Sequence, residues 1–95
     1  MSAMIDAAVA VLNAKLTGGF AGLAKIVIPG EGAILLDASG ARPGDGDAEV
    51  TLTAEADVFR AILAGETDPT VAFMTGKLTV DGNMGLAMQL GTALA

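Results

Sequence analysis

The 95-residue chain contains no cysteine, no histidine, no tryptophan and no tyrosine. Without cysteine it can form neither a disulfide framework nor a thiolate metal site. The missing His, Cys and Tyr remove most of the usual acid–base and nucleophilic groups. Ser2 and Ser39 are the only serines, one at a terminus and one in a turn, and neither has a histidine base. An enzyme is therefore not expected, and no cofactor or metal is implied. Cations are scarce too: Lys15, Lys25, Arg42, Arg60 and Lys77 stand against 11 acids, for a net charge of −6. No two of them lie closer than ten positions. Nucleic-acid binding needs a clustered basic footprint, so it is excluded. Stable docking on an anionic membrane is disfavoured on the same ground.

Long apolar runs are also missing. The longest, Ala7 to Leu12, has six residues and cannot cross a bilayer, so stable membrane insertion is not expected. The segment Met1-Ser2-Ala3-Met4-Ile5-Asp6 lacks the basic start of a secretory signal. Thr92-Ala93-Leu94-Ala95 is not a peroxisomal address of the Ser-Lys-Leu kind. A cytoplasmic location is the resulting expectation.

What the chain does have is aliphatic side chain. Hydrophobic residues make up 53% of it, and the mean hydropathy is +0.62. Its length suits one domain, residues 1–95, with a thin stability margin. Alanine, Leu, Ile, Val and five Met, with three Phe, must build the interior. Methionine adapts to irregular spaces, which suits a core built from aliphatic packing.

Residues Ser2 to Leu16 read as a helix capped by Ser2, with Ile5, Val9, Leu12 and Leu16 on one stripe. Ala24–Ile28 and Ala33–Asp37 read as strands joined through Pro29-Gly30-Glu31-Gly32, an antiparallel hairpin. Ala38 to Asp47 is a polar Gly-rich loop, with room for a short edge strand around Ala41 and Arg42 that the pattern does not demand. Ala48 to Thr53 alternates as a half-buried strand, and Thr53 is then the expected cap of a helix from Ala54 to Ala64. Asp68-Pro69 starts a short helix through Val71–Met74. Lys77–Asp81 is the last strand, and Gly82-Asn83 turns into a final helix, Met84 to Leu94. Strands followed by helices in this order predict an α+β fold, with helices on one face of a mostly antiparallel sheet.

The acidic loop from Asp45 to Glu49 does not make a calcium site. Counted from Asp45, the positions that an EF-hand fills with Gly and Glu hold Val50 and Ala56. The glycine pairs do not complete a dinucleotide fingerprint. The positive signal is the last helix. Met84, Ala87, Met88 and Gly91 share one side and Leu86, Leu90 and Leu94 the adjoining one, leaving only Gln89 clearly polar. So wide an apolar arc needs cover on two sides. Core packing, a homodimer or partner interface, and the wall of a ligand cavity each supply it. Phe59, Ile62, Leu63, Phe73 and Met74 carry the same ambiguity between core and ligand contact.

Several segments in succession resemble the sterol-carrier-protein-2 family. They are Asp57–Gly65, Asp68-Pro69, the run Ala72-Phe73-Met74-Thr75-Gly76-Lys77-Leu78-Thr79-Val80-Asp81-Gly82-Asn83-Met84, and Leu86–Leu90. The resemblance implies about five strands with helices over one face, enclosing an elongated apolar tunnel. It implies a non-catalytic domain that binds or transfers a fatty acid, acyl-CoA or sterol-like lipid. The lining it implies is Phe59, Ile62 and Leu63, then Phe73 and Met74, then Met84, Ala87, Met88 and Gly91. Gly76, Lys77 and Gly82 are expected to be structural. For the phosphates of an acyl-CoA, the candidate partners are Lys25, Arg42 and Lys77. The rival reading is an interaction module that dimerises through the C-terminal helix.

Overall fold

The computed structural model describes residues 2–94. Met1 and Ala95, parts of the two terminal segments read above for targeting signals, lie outside the described residues. The chain runs α1 (Ala3–Lys15), β1 (Ala24–Ile28), β2 (Gly32–Asp37), β3 (Gly40–Pro43) and β4 (Val50–Ala54). It continues through α2 (Ala56–Leu63), α3 (Pro69–Met74), β5 (Leu78–Gly82) and α4 (Met84–Leu94). The sheet order is β3-β2-β1-β4-β5, with β1 and β4 parallel and every other pair antiparallel.

Period-two alternation sends one set of side chains to the helical layer. Pairing aligns Ile26 with Ile34 and with Leu52, and Leu52 with Val80, so each strand adds to the same face. Ala24, Ile26, Ile28, Ile34, Leu36, Val50, Leu52, Ala54 and Leu78 are buried there. The helices cover this face with Ile5, Ala8 and Leu12 of α1, Phe59 and Ile62 of α2, and Leu90 and Leu94 of α4. The hydroxyl of Ser2 accepts from the Ile5 N–H at 3.0 Å, as the cap reading requires. Asp68 and Asn83 accept in the same way from the N–H groups of Thr70 and Leu86.

Several expected boundaries move, including the start of β5 from Lys77 to Leu78. The expected helix from Ala54, capped by Thr53, starts instead at Ala56 behind Glu55. Ala54 still belongs to β4: it pairs with Leu78 and is buried, so sheet pairing overrides the local cap. The strand expected from Ala48 begins at Val50. Glu49 works outside the ladder, its N–H donating to the Leu23 carbonyl and its carboxylate accepting from the Leu23 N–H. Gly82, read as a turn, closes β5 opposite Val50.

The second face of the sheet is half-covered by the Gly-rich loop. Lys25 Nζ donates to Asp45 at 3.0 Å, and Leu35 lies against Gly44 and Gly46. The Lys25 ammonium holds the exposed Asp45 carboxyl below the usual carboxylate range. Arg42, bonded at 2.7 Å, does the same for Asp37, helped by the Ser39 N–H.

The edge strand around Ala41 and Arg42 exists, and α1 holds it. Asn13 Oδ1 accepts from the Ala41 N–H at 2.8 Å, and Asn13 Nδ2 donates to the Ala41 carbonyl at 3.0 Å. An amide side chain thereby fills the bonding positions that a sixth strand would take, which blunts the edge. A β-carbon on Gly40, at φ +108°, would lie 2.6 Å from Asn13 Oδ1. Removing the amide leaves a backbone donor and acceptor without protein partners. Asn13→Ala is expected to lower stability by about 1–2 kcal/mol in urea denaturation. A loss below about 0.3 kcal/mol would show that water replaces both bonds.

Candidate apolar ligand site

The nine residues that the resemblance implies as lining stand at three depths. Phe59 and Ile62, at 1% exposure each, are packed into the core with Ala87. Leu63 ends α2 and faces α1. Phe73, Met74, Met84 and Met88 lie on the outside of α3 and α4, at 43%, 77%, 49% and 72% exposure. Gly91 is half-buried, and a side chain there would first meet Pro69 of α3.

Helix periodicity explains the division. In α4, Ala87, Leu90 and Leu94 fall on the side that packs over β4 and β5, and Met84 and Met88 fall one turn apart on the outer side. In α3, Pro69 and Ala72 turn inward while Val71, Phe73 and Met74 remain outside. Leu86 reaches the loop before β1 at Gly22, where an added β-carbon would lie 2.9 Å from its side chain. The core side of α4 is thus covered by its own chain, and the second apolar side is not.

An apolar groove lies elsewhere, between α1 and α2. Met4, Ala7, Ala8, Val11, Arg60, Leu63 and Ala64 line about 200 Å³. Of these, only Leu63 belongs to the expected set. Met4, Ala7, Ala8 and Val11 form a second stripe on α1, about a quarter turn from the core stripe of Ile5, Leu12 and Leu16. That spacing is visible in the sequence, and small residues at Ala7, Ala8 and Ala64 leave the volume open. Among the described residues, no cluster of three or more acidic groups could hold a metal. No described helix is long and apolar enough to cross a membrane.

Four helices on one face of a five-stranded mixed sheet, with an aliphatic interior and an apolar groove, define an α+β binding domain. The chain belongs to the SCP-2 sterol transfer family, whose model matches residues 2–95. Among solved structures, sterol carrier protein 2 from Aedes aegypti, in complex with the C16 fatty acid palmitate, is 26% identical. It matches 100% of this chain and 97% of its own, with a TM-score of 0.79. The apo form of sterol carrier protein 2 from Yarrowia lipolytica shares the fold at 22% identity, covering 96% of this chain and 86% of its own, with a TM-score of 0.70. A hydroxysteroid dehydrogenase-like protein 2 of Xenopus laevis is 33% identical over 87 residues. The match takes in 83% of this chain but 21% of that protein, so the likeness lies in a small part of the longer chain.

Proposed function

We propose that this domain binds single-chain lipids, with a fatty acid as the first choice of ligand, and carries them between aqueous sites without catalysis. Family membership supports this, as does the palmitate held by the Aedes aegypti relative. The observation on this chain that carries it is the uncovered apolar set Phe73, Met74, Met84 and Met88, on two adjacent helices beside an aliphatic core. Exposing so much large apolar surface costs free energy, and a bound chain would return it. Each buried methylene contributes about 0.8 kcal/mol, so a long tail can bind without a polar contact. Weak selectivity among chain types follows from the same term.

In α4, Ala87, Leu90 and Leu94 are buried, while Met84 and Met88 stay on the outside. Acyl-CoA is the weaker candidate: of its three candidate phosphate partners, Lys25 and Arg42 are occupied by Asp45 and Asp37, which leaves Lys77 alone. Dimerisation through α4 has less support, because the helix buries its leucine side within its own chain.

Purified protein should retain fatty acid in native mass spectrometry and bind a fluorescent C16 fatty acid. Met88→Glu, at a position open enough to keep the fold, is expected to weaken that binding about tenfold, or 1.4 kcal/mol. Failure to bind fluorescent fatty acid, with no lipid carried through purification, would refute the proposal.

A further inference from the structure

We infer that the groove between α1 and α2 is an anion-selective subsite, in which Arg60 receives the carboxylate of a fatty acid whose first carbons lie against Met4, Ala7, Ala8, Val11, Leu63 and Ala64. The inference rests on the lipid-binding reading above and adds to it where the polar end of the ligand sits.

The charge arrangement is the first ground. This is an acidic chain with 11 carboxylates and five basic side chains. Lys25 and Arg42 each hold an aspartate. Arg60, like Lys15 and Lys77, pairs with no carboxylate among the described residues, although Asp57 stands one turn back on α2; of these three cations it alone lines the groove. Its nearest polar contact is the thioether of Met4, with Nη2 3.7 Å from Sδ across the two helices. The guanidinium therefore borders the groove with no carboxylate on it. Guanidinium matches a carboxylate in a planar, two-point fashion and keeps its charge throughout the accessible pH range.

Shape is the second ground. Every other wall residue is apolar, so a small inorganic anion would gain nothing from the groove. An amphiphile gains at both ends. A cavity of about 150 Å³ lined by aliphatic residues holds a benzene molecule, and a water-sized group takes about 30 Å³. At about 200 Å³ the groove is of the same order as that benzene-sized cavity. The subsite is thus sized for the carboxylate end of a chain and not for a whole sixteen-carbon lipid or a sterol ring system.

The test compares palmitate, hexadecanol and hexadecyl phosphate on the intact domain at neutral pH and low salt. Wild-type protein should prefer palmitate to hexadecanol by about tenfold, and added salt should shrink the preference. Arg60→Gln removes the charge on a shorter stem and should abolish the preference, read as the ratio of palmitate to hexadecanol affinity. Ala64→Met fills the groove without altering charge and should weaken palmitate, with circular dichroism reporting that the fold is kept. A palmitate preference that survives Arg60→Gln places the carboxylate elsewhere and overturns the inference, while the carrier reading stands. Unchanged palmitate affinity in a folded Ala64→Met protein overturns it as well. A preference for hexadecyl phosphate over palmitate beyond tenfold replaces the carboxylate with a phosphate monoester. If the wild type binds none of the three, the carrier reading itself fails.

Discussion

Gly82→Ala is expected to lower stability by about 3–4 kcal/mol and to loosen the β5 edge together with the start of α4. Gly82 has φ +105°, where a side chain costs roughly 1–3 kcal/mol by strain alone. The added β-carbon would also lie 2.4 Å from the Glu49 carbonyl oxygen and 3.1 Å from the Val50 Cα. Those are backbone atoms of the neighbouring strand, so no side chain can turn aside to relieve the contact. The same Glu49 carbonyl accepts from the Asn83 N–H at 2.9 Å, at the cap of α4. Moving β4 away therefore breaks the link into the last helix. At roughly 4–8 °C per kcal/mol in a domain of this size, the midpoint should fall by about 12–32 °C. Thermal denaturation measures the size of the loss, and amide exchange along β5 its location. A fall of less than about 5 °C would mean that the strand pair accommodates a side chain, contrary to the register found here.

The second large effect is Phe59→Ala. Phe59 is among the largest fully buried side chains, at 1% exposure, and lies between the sheet and the helical layer. Removing it sacrifices transfer free energy and leaves a void, for about 3–5 kcal/mol. A domain of this length has only about 5–10 kcal/mol in total, so much of the protein's stability rests on this one ring. Urea denaturation should show the loss. If the chain of a bound lipid reaches the vacated space, palmitate should raise the variant's midpoint more than the wild type's, by ordinary linkage. A destabilisation under about 1.5 kcal/mol would place Phe59 at a site that collapses freely.

Some of this molecule was legible from residue order. The hairpin of β1 and β2, the cap at Ser2, the helix starts at Asp68 and Asn83, and the strand between them follow from local chemistry and alternation. The family was legible only as a resemblance, carried by the run from Phe73 to Leu90. The end of β4 was not legible. Thr53 has the chemistry of a cap, but Ala54 continues to pair with Leu78, and long-range pairing decided the boundary. Nor did Asn13 announce its role: it sits 28 positions from Ala41, and only the packing of α1 against the sheet edge brings them together.

The candidate site divides in the same way. Helix spacing placed Met84 and Met88 together on one side of α4, and could not say which side would meet the sheet. The groove depends on two helices that lie about fifty residues apart in sequence, so Arg60 and Met4 had no local reason to be considered together.

Residue order by itself determined which kinds of side chain the fold has to work with. An aliphatic, cysteine-free and histidine-free chain with scattered cations has side chains for burial and few for acid–base chemistry. Only the tertiary structure decided which apolar surface is spent on the core and which is left uncovered. It also decided which cation stays unpaired beside a groove. Alternation and periodicity define faces of single elements, whereas the partner of each face is set by how distant elements pack.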